Sequence, residues 1–393
     1  MVETVININQ SGEEVEQEHN EDVIITAPFD PNQDIVISTP PLNMGDIIDR
    51  LEHNEIKIDT EFQRLPDLWN ATKKSRFIES ILLKLPVPAF YFDAGDDNLW
   101  RIIDGLQRIS TIKSFVIDKT LKLENLEFLK DYNNDYFDDL PRSLQRRIKT
   151  FPITGNILGR GTPDVVKYNI FNRINQGGLK LVPQEMRHAL HQGKASDLVA
   201  DLVRGEDLLD DNGELKKAST EEGVAFVRAT DGKIRSQRMQ DRDFANRFIA
   251  FYLIHYTEYA PDLDSFLSKG MAKINELSDE EIEKLKNDFK KAMNLAYAIF
   301  DNDAFRKRFD EYDDRKPVNK ALFEVLSVNF AKLSREECEL LHDRTETFQT
   351  AFIELHQYND FVQSISSGTA QPERVTKRFE AINGIIQETL NQA

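Results

Sequence analysis

The stretch Leu99-Trp100-Arg101-Ile102-Ile103-Asp104-Gly105-Leu106-Gln107-Arg108 changes its hydrophobic pattern near its centre. Its first five residues are mostly β-branched or aromatic, which is typical of a strand. After Gly105, apolar residues recur at helical spacing as Ile109, Ile112 and Val116. The sequence therefore predicts a strand that passes through a glycine turn directly into a helix.

The residues before this stretch predict the rest of a mixed α/β unit. Residues 89–92 read as a second strand, and the turn-forming residues 96–98 would join it to the first as a hairpin. Asn70 can cap a preceding helix that Pro86 ends. The apolar positions of that helix fall on one face: Phe77, Ile78, Ile81, Leu82 and Leu85. Strands and helices alternate in this way from about residue 40 to 195, which favours an α/β (α+β) fold.

The pattern becomes helical in the second half of the chain. Ser278 with Glu281, and Ser334 with Glu337, are capping-box pairs that mark helix starts. We therefore predict four parts: an acidic flexible tail (1–36), a mixed α/β domain (37–203), a polar loop or linker (204–223) and a mainly helical domain (224–393).

The N-terminal tail is strongly acidic. Between Ser11 and Asp22 it carries six acidic side chains and one aliphatic residue, Val15. Such a segment buries too little apolar surface to offset the entropy lost on ordering, so a flexible tail is predicted. The alternative is an acidic arm that occupies a cationic groove of the protein itself.

Composition limits the classes of function. Lys and Arg number 50 and Asp and Glu number 68, so the net charge is −18 and any contact with nucleic acid must be local. The single cysteine, Cys338, cannot form an internal disulfide, which indicates a reducing compartment. No run approaches the roughly 20 apolar residues that span a bilayer. We therefore expect a cytoplasmic protein without a membrane contact.

The turn from Asp104 to Arg108 is the first candidate site. A helix N-terminus presents free N–H groups and partial positive charge to an anion such as phosphate. Gly105 would let a ligand approach the backbone, Arg108 could bind phosphate oxygens, Gln107 could hydrogen-bond, and Asp104 could hold Mg²⁺ or orient a water. The alternative is structural: Asp104 caps the helix, Gly105 fills a strained position and Arg108 lies on the surface.

Three other segments are unusually rich in polar groups. Their alternatives are a turn, a helix cap and a surface ion pair, respectively. The candidate nucleotide-binding residues in them are Gln63 and Arg64; Asn172, Arg173, Asn175, Gly177 and Gly178; and Arg238, Asp241 and Arg242.

Two basic clusters are candidates for contact with DNA phosphates. The first is Arg142, Arg146, Arg147 and Lys149, on a predicted helix. The second is Arg374, Lys377 and Arg378. In an acidic protein, the alternative for each cluster is pairing with neighbouring Asp and Glu.

Together these segments resemble the N-terminal domain of the GmrSD modified-DNA restriction systems, a family also known as domain of unknown function 262. The resemblance covers roughly residues 40 to 385. It rests on Phe62-Gln63-Arg64, Trp69, Leu85-Pro86, Asp104 to Arg108, Asn175 to Gly178, Glu185-Met186-Arg187, Arg238 to Arg242, Phe361 and Gly368-Thr369.

The resemblance implies a ParB-like (ParB/sulfiredoxin-like) nucleotide-binding fold in the first domain. It also implies a nucleoside triphosphate with Mg²⁺ as ligand, NTPase activity in several members, and defence against foreign or modified DNA. Asp104, Gln107 and Arg108 would then be the catalytic residues. Leu106 stands where the family pattern usually has its first glutamine. This departure leaves open whether the protein hydrolyses the nucleotide.

Many relatives carry or partner an HNH-type nuclease, and this sequence has no such core. The resemblance therefore implies a separately encoded nuclease partner. The alternative function is a non-catalytic DNA-binding or protein-binding scaffold that retains the fold. The oligomeric state stays open, with a homo-oligomer among the alternatives.

Overall fold

The computed structural model describes residues 14–17, 37–58, 69–96, 99–159, 162, 182–191, 193–209 and 215–392. The chain divides into two units. The α/β unit comprises Pro28–Leu190, and the helical unit comprises His191–Ala393 together with Met1–Ala27. The mixed α/β region followed by a helical region, as predicted from the sequence, is confirmed.

One mixed sheet forms the centre of the α/β unit. Its strands are β1 (Ile37–Ser38), β2 (Pro41–Asn43), β3 (Ile56–Lys57), β4 (Phe90–Asp96), β5 (Leu99–Asp104) and β6 (Pro152–Leu158). Their order is β1-β6-β4-β5-β3, with β2 also paired to β6. The predicted hairpin is confirmed, because β4 and β5 are antiparallel neighbours. The contacts β3–β5 and β4–β6 are parallel.

Helices cover this sheet and position the turn after β5. They are α1 (Met44–Glu52), α2 (Ala71–Leu82), α3 (Leu106–Ile112), α4 (Arg142–Lys149) and α5 (Pro183–Leu190). Helix α3 continues into a π-helical turn, Lys113–Ile117. Helix α2 packs on α3, and α5 packs on β5. The end of β5 and the start of α3 are therefore fixed from both sides.

Helix α2 confirms one prediction and corrects another. Asn70 caps it by accepting a hydrogen bond from the Lys73 N–H at 2.9 Å. The helix ends at Leu82, before Pro86, and Leu85 is exposed rather than part of the apolar face. Lys84 adopts a φ of +57° there, which turns the chain away from the helix axis.

The helical unit has a separate core. Its elements are α6 (Lys194–Asp201), β7 (Leu208–Leu209), β8 (Leu215–Lys217), α7 (Glu221–Ala229), α8 (Gln240–Leu253), α9 (Leu263–Ile274), α10 (Asp279–Phe300), α11 (Lys320–Lys332), α12 (Arg335–Asp343), α13 (Thr345–Leu355), α14 (Asn359–Ser366) and α15 (Pro372–Asn391). The predicted capping boxes begin α10 and α12 as expected. None of the helices in the described ranges is long and apolar enough to cross a membrane.

The division between the units falls at Leu190 and His191, earlier than the predicted end of the first domain at residue 203. The reason is α6, which buries Ala195, Leu198 and Val199 in the core of the helical unit. Residues Glu14–Gln17, within the predicted tail, also lie against this unit, because Val15 forms a parallel bridge with Val318.

Candidate functional site

A left-handed glycine makes the strand-to-helix turn. Gly105 has a φ of +104°, a region that glycine adopts without steric cost. A Cβ at this position would lie 2.6 Å from the Phe90 ring, so the close approach also requires glycine. The Ile109 N–H donates to the Gly105 carbonyl at 2.8 Å and begins α3. The predicted passage from strand through glycine to helix is confirmed.

Arg108 points into the protein and binds two backbone carbonyls that precede β4 and the Asp104 side chain at the end of β5. Its side chain is 8% exposed, and Nη2 donates to the Asp104 carboxylate at 2.8 Å. Nη2 also lies 3.1 Å from the Ala89 carbonyl oxygen, and Nη1 donates to the Pro88 carbonyl. The guanidinium stacks on Phe90, with 4.4 Å between its carbon and the ring centre. Burial lowers the pKa of Arg108, while the Asp104 charge opposes that shift.

This arrangement differs from both roles weighed for Arg108. The side chain is not on the surface. Its described hydrogen bonds go to Asp104 and to the carbonyls of Pro88 and Ala89, which precede β4. Arg108 therefore positions the turn: it ties the helix to Asp104 four residues earlier and to the strand beside it. Asp104 remains 30% exposed, with one carboxylate oxygen bound to Arg108.

The other turn residues divide between the core and a polar surface. Leu106 packs against the apolar core, which explains why an apolar residue is tolerated there. Gln107 is half-buried, and its Oε1 lies 3.4 Å from the Trp69 N–H. No side-chain hydrogen bond caps the first turn of α3, so its N–H groups lack that partner in the described structure.

One cation near the turn was not among the sequence candidates. The Lys73 ammonium lies 5.2 Å from the centre of the Trp69 ring. Trp69 in turn packs edge-on against Phe77, with ring centres 5.6 Å apart. The spacing of four residues between an aromatic residue and a lysine at a helix start is the signal that could have indicated it.

Seven sequence candidates lie outside the residues that the structure describes. They are Gln63, Arg64, Asn172, Arg173, Asn175, Gly177 and Gly178. Their role in a nucleotide site stays a prediction.

The segment from Arg238 to Arg242 belongs to the helical unit and contains an unusual backbone. Arg238 and Met239 both have left-handed φ values, +56° and +54°. Non-glycine residues adopt that region at a cost of roughly 1–2 kcal/mol each. Asp241 is buried and accepts a hydrogen bond from the Arg242 N–H at 2.8 Å. Backbone strain of this kind is concentrated at functional sites, so the segment stays a candidate.

The two basic clusters differ in their partners. On α4, all four cations are exposed: Arg142, Arg146, Arg147 and Lys149. Within the described part of the chain, none of the four forms an ion pair, and Arg147 donates only to the Leu82 carbonyl at 2.8 Å. On α15, by contrast, the cations are engaged. Arg374 donates to the Ser367 carbonyl, Lys377 pairs with Asp360, and Arg378 pairs with Glu324.

The described residues offer few groups for metal binding or thiol chemistry. No cluster of three or more His, Cys, Asp or Glu side chains that could hold a metal occurs among them. Asp104 could contribute one carboxylate to an ion that a ligand also binds. Burial raises the pKa of the half-buried Cys338 thiol, which favours its protonated, unreactive form.

The helical unit contains a cavity of about 530 Å³. Asp288 lies in its wall and accepts hydrogen bonds from Tyr252, at 2.7 Å, and from Lys284, at 2.6 Å. Burial would raise the pKa of Asp288, but these hydrogen bonds and one from Lys291 lower it. The carboxylate is therefore already satisfied, and the cavity contains none of the sequence candidates.

Comparison with known proteins finds a similarity over less than half of the chain. Residues 44–192 match the family described as GmrSD restriction endonuclease, N-terminal domain. The resemblance seen in the sequence is confirmed over that range. The match includes the Asp104 turn and α4. No curated protein and no solved structure matches the chain.

Proposed function

We propose that the chain is a nucleoside-triphosphate-binding regulatory or sensor protein of a restriction or antiphage defence system that acts on foreign or modified DNA. The GmrSD-type domain supports the defence role. The observation that carries the nucleotide role is the turn itself: a buried guanidinium holds the end of β5 against an uncapped helix start, with Gly105 between them. This is a common structural setting for phosphate binding.

The residues of the turn have separate roles in this proposal. The N–H groups that begin α3 and the Gln107 amide bind phosphate oxygens, and Lys73 adds positive charge nearby. Asp104 contributes one carboxylate to Mg²⁺, whose other ligands are phosphate oxygens and water, as is usual for this ion. Arg108 positions Asp104. Residues 63–64, 172–178 and 238–242 stay predicted nucleotide-binding residues.

The exposed cations of α4 supply the proposed contact with DNA phosphates. They lie within the matched domain and lack ion-pair partners among the described residues, whereas the basic residues of α15 are engaged. A separately encoded HNH-type nuclease would perform cleavage, since the sequence contains no such core.

A second function is favoured by two specific observations. Leu106 packs against the core, and the Arg108 guanidinium is bound by protein groups rather than available for a transferred phosphate. Both favour a scaffold that binds nucleotide or DNA without hydrolysis. Phosphate release measured with and without DNA separates the two functions: turnover supports the NTPase, and binding without turnover supports the scaffold.

Gln107→Ala tests the nucleotide site. The described structure gives the Gln107 side chain only one long hydrogen bond, so the fold should tolerate the change. Loss of a ligand hydrogen bond of about 1 kcal/mol would weaken nucleotide binding roughly five-fold. The measurement is the melting temperature at rising concentrations of each nucleoside triphosphate with Mg²⁺.

Gln145→Ala on α4 is the matched control, because it removes the same amide from the same unit. It should leave nucleotide affinity unchanged. No stabilisation of the wild-type chain by any nucleoside triphosphate would contradict the nucleotide-binding proposal. If both substitutions change nucleotide affinity equally, Gln107 does not contact the nucleotide.

A further inference from the structure

A short acidic segment near the N-terminus pairs with the helical unit through an isolated parallel β-bridge. The Val318 N–H donates to the Glu14 carbonyl at 3.0 Å, and the Glu16 N–H donates to the Val318 carbonyl at 2.9 Å. Val318 also forms an antiparallel bridge with Arg306 on its other side. The segment Glu14–Gln17, here called the arm, therefore extends a small patch of strand pairing.

The side chains of the arm alternate between the core and cationic groups. Val15 is 9% exposed and is part of the helical core. Glu16 binds the Lys307 ammonium at 2.6 Å and the Asn319 amide at 2.9 Å. Glu14 lies 3.4 Å from the Lys233 ammonium. The surface under the arm thus fits an extended acidic–valine–acidic sequence.

This surface, here called the Val318 edge, has the properties of a peptide-binding edge. Main-chain hydrogen bonds of strand addition do not depend on sequence, while an apolar pocket and flanking charges select the side chains. Asn319 is held in place by a second hydrogen bond, which it donates to the Ile365 carbonyl at 2.7 Å. The edge therefore offers a fixed amide and the Lys307 ammonium to a carboxylate at the Glu16 position.

The arm is a small occupant. One apolar side chain enters the core, and the Glu14–Lys233 pair is partly exposed, which makes it weak and sensitive to salt. The arm competes with other ligands from within the chain, because an intramolecular segment does not lose the translational and rotational freedom that a separate ligand loses on binding. A separate peptide with the same pattern can use the same contacts once the arm is displaced.

We propose that the Val318 edge is a docking site for an extended acidic segment of a partner protein, and that residues Glu14–Gln17 occupy it in its absence. The partner segment carries a β-branched residue between two carboxylates. The arm excludes weaker ligands because it competes with them from within the chain. This inference is independent of the proposed nucleotide site.

The experiment compares the full-length wild-type chain with the full-length variant Val15→Asp/Glu16→Lys, in which the arm loses its apolar and ionic contacts. The probe is a fluorescent peptide with the sequence of residues 11–19, and anisotropy reports binding. We expect the variant to bind the peptide at least about ten-fold more tightly than the wild type, because the tethered competitor is gone. Binding to the variant should weaken with added salt.

Three controls locate the site. A peptide with Asp in place of Val15 should not bind. Lys307→Gln in the arm-released chain should weaken binding, whereas Lys286→Gln, at an ion pair on α10, should not. If the doubly substituted arm prevents folding, Glu14→Lys/Glu16→Lys, which sets like charges against Lys233 and Lys307, takes its place as the arm-released chain.

The outcomes are distinct. The docking site would be disproved if the wild-type and arm-released chains bound the peptide with equal affinity. It would also be disproved if neither Lys307→Gln nor the Asp substitution at Val15 of the peptide weakened binding. Light scattering of a mixture of wild-type and arm-released chains tests the other source of the same segment. A heterodimer would show that the ligand is the arm of a second copy and would overturn the assignment to a partner protein.

Discussion

At the scale of single residues, Arg108 is a residue type that often binds anionic ligands, and here its contacts are structural. Its guanidinium binds the Asp104 carboxylate, with 2.8 Å between Nη2 and Oδ2. The guanidinium also satisfies the carbonyls of Pro88 and Ala89, which precede β4. One side chain therefore fixes the relative position of β4, β5 and α3.

Arg108→Ala should lower the free energy of unfolding by about 3 kcal/mol, because it leaves a carboxylate and two carbonyls without their donor. Arg108→Lys keeps the charge but loses the fork, so its loss should be smaller. Urea denaturation measures both. Arg142→Ala on α4 is the control, since Arg142 is exposed and without an ion pair in the described structure. Equal stability of the Arg108 and Arg142 variants would disprove the positioning role.

The sequence predicted the backbone conformation of Gly105 but not the direction of the Arg108 side chain, for a physical reason. A glycine between a strand pattern and a helix pattern indicates a left-handed turn locally, and the φ of +104° confirms it. The direction of the Arg108 side chain depends on carbonyls about 20 residues earlier in the chain, which no local pattern reveals.

His356 makes stability depend on pH. It is 2% exposed among Phe309, Phe352 and Phe361, and burial lowers the pKa of its imidazole from 6.5 to about 4. Its Nδ1–H donates to the Phe352 carbonyl at 2.8 Å. Because the unfolded chain binds the proton more tightly than the folded chain, stability is lost as the pH falls from about 6.5 to about 4.

The loss attributable to His356 should approach about 3 kcal/mol when the fall is complete. His356→Gln should therefore reduce the difference in unfolding free energy between pH 7.5 and pH 4.5. Urea unfolding at both pH values is the measurement. An unchanged pH dependence in His356→Gln would exclude this residue as its cause.

At the scale of elements, a buried charge network joins three helices. Glu324 on α11 is fully buried between Arg247 on α8 and Arg378 on α15. Arg247 also pairs with Asp243 at 3.2 Å, and Arg378 donates to the Thr369 carbonyl at 2.7 Å. Desolvation makes such a network costly to form, and removal of one member leaves uncompensated charge.

Glu324→Ala should therefore destabilise the chain by about 3–5 kcal/mol, since two buried guanidinium groups lose their shared carboxylate. Glu339→Ala is the matched control, because Glu339 pairs with Arg335 on the surface. Its cost should stay below about 1 kcal/mol. Guanidinium chloride would screen the surface pair, so thermal or urea unfolding is the measurement. A small cost for Glu324→Ala would mean that water or repacking replaces the carboxylate.

Elements whose signals are local were the ones predicted from the sequence. Ser278, Ser334 and Asn70 begin helices as expected, because capping depends on neighbours three residues away. The left-handed pair Arg238 and Met239 was not predicted. Neither residue type favours that backbone, so the surrounding structure imposes it.

At the scale of the whole molecule, the chain begins in one unit, passes through the other and returns. Residues Glu14–Gln17 belong to the helical unit, Pro28–Leu190 form the α/β unit, and His191 onward rejoin the helical unit. The sequence analysis weighed an arm bound to the protein itself only as the alternative to a flexible tail. Val15 is one apolar residue in an acidic run, and its pairing with Val318 crosses most of the chain.

The distribution of charge across the molecule leads to the last prediction. A net charge of −18 repels DNA as a whole, while the cations of α4 are exposed and lack ion-pair partners in the described structure. Each phosphate that they neutralise releases condensed counterion, so log affinity should fall with log salt by roughly 0.9 per contact. Four contacts are the ceiling for α4.

Arg142→Ala/Arg146→Ala removes two exposed cations one helical turn apart and should flatten that slope by about 2 units. These two are preferable to Arg147, which also donates to the Leu82 carbonyl and so contributes to the fold. Anisotropy titration of duplex DNA at several salt concentrations, with nucleotide and Mg²⁺ present, is the measurement. Arg374→Ala/Lys377→Ala removes two engaged cations and should leave the slope unchanged. If the α4 substitutions leave the salt slope unchanged and the α15 substitutions reduce it, the DNA contacts lie on the helical unit. The α15 cations would then leave their present partners to bind phosphate.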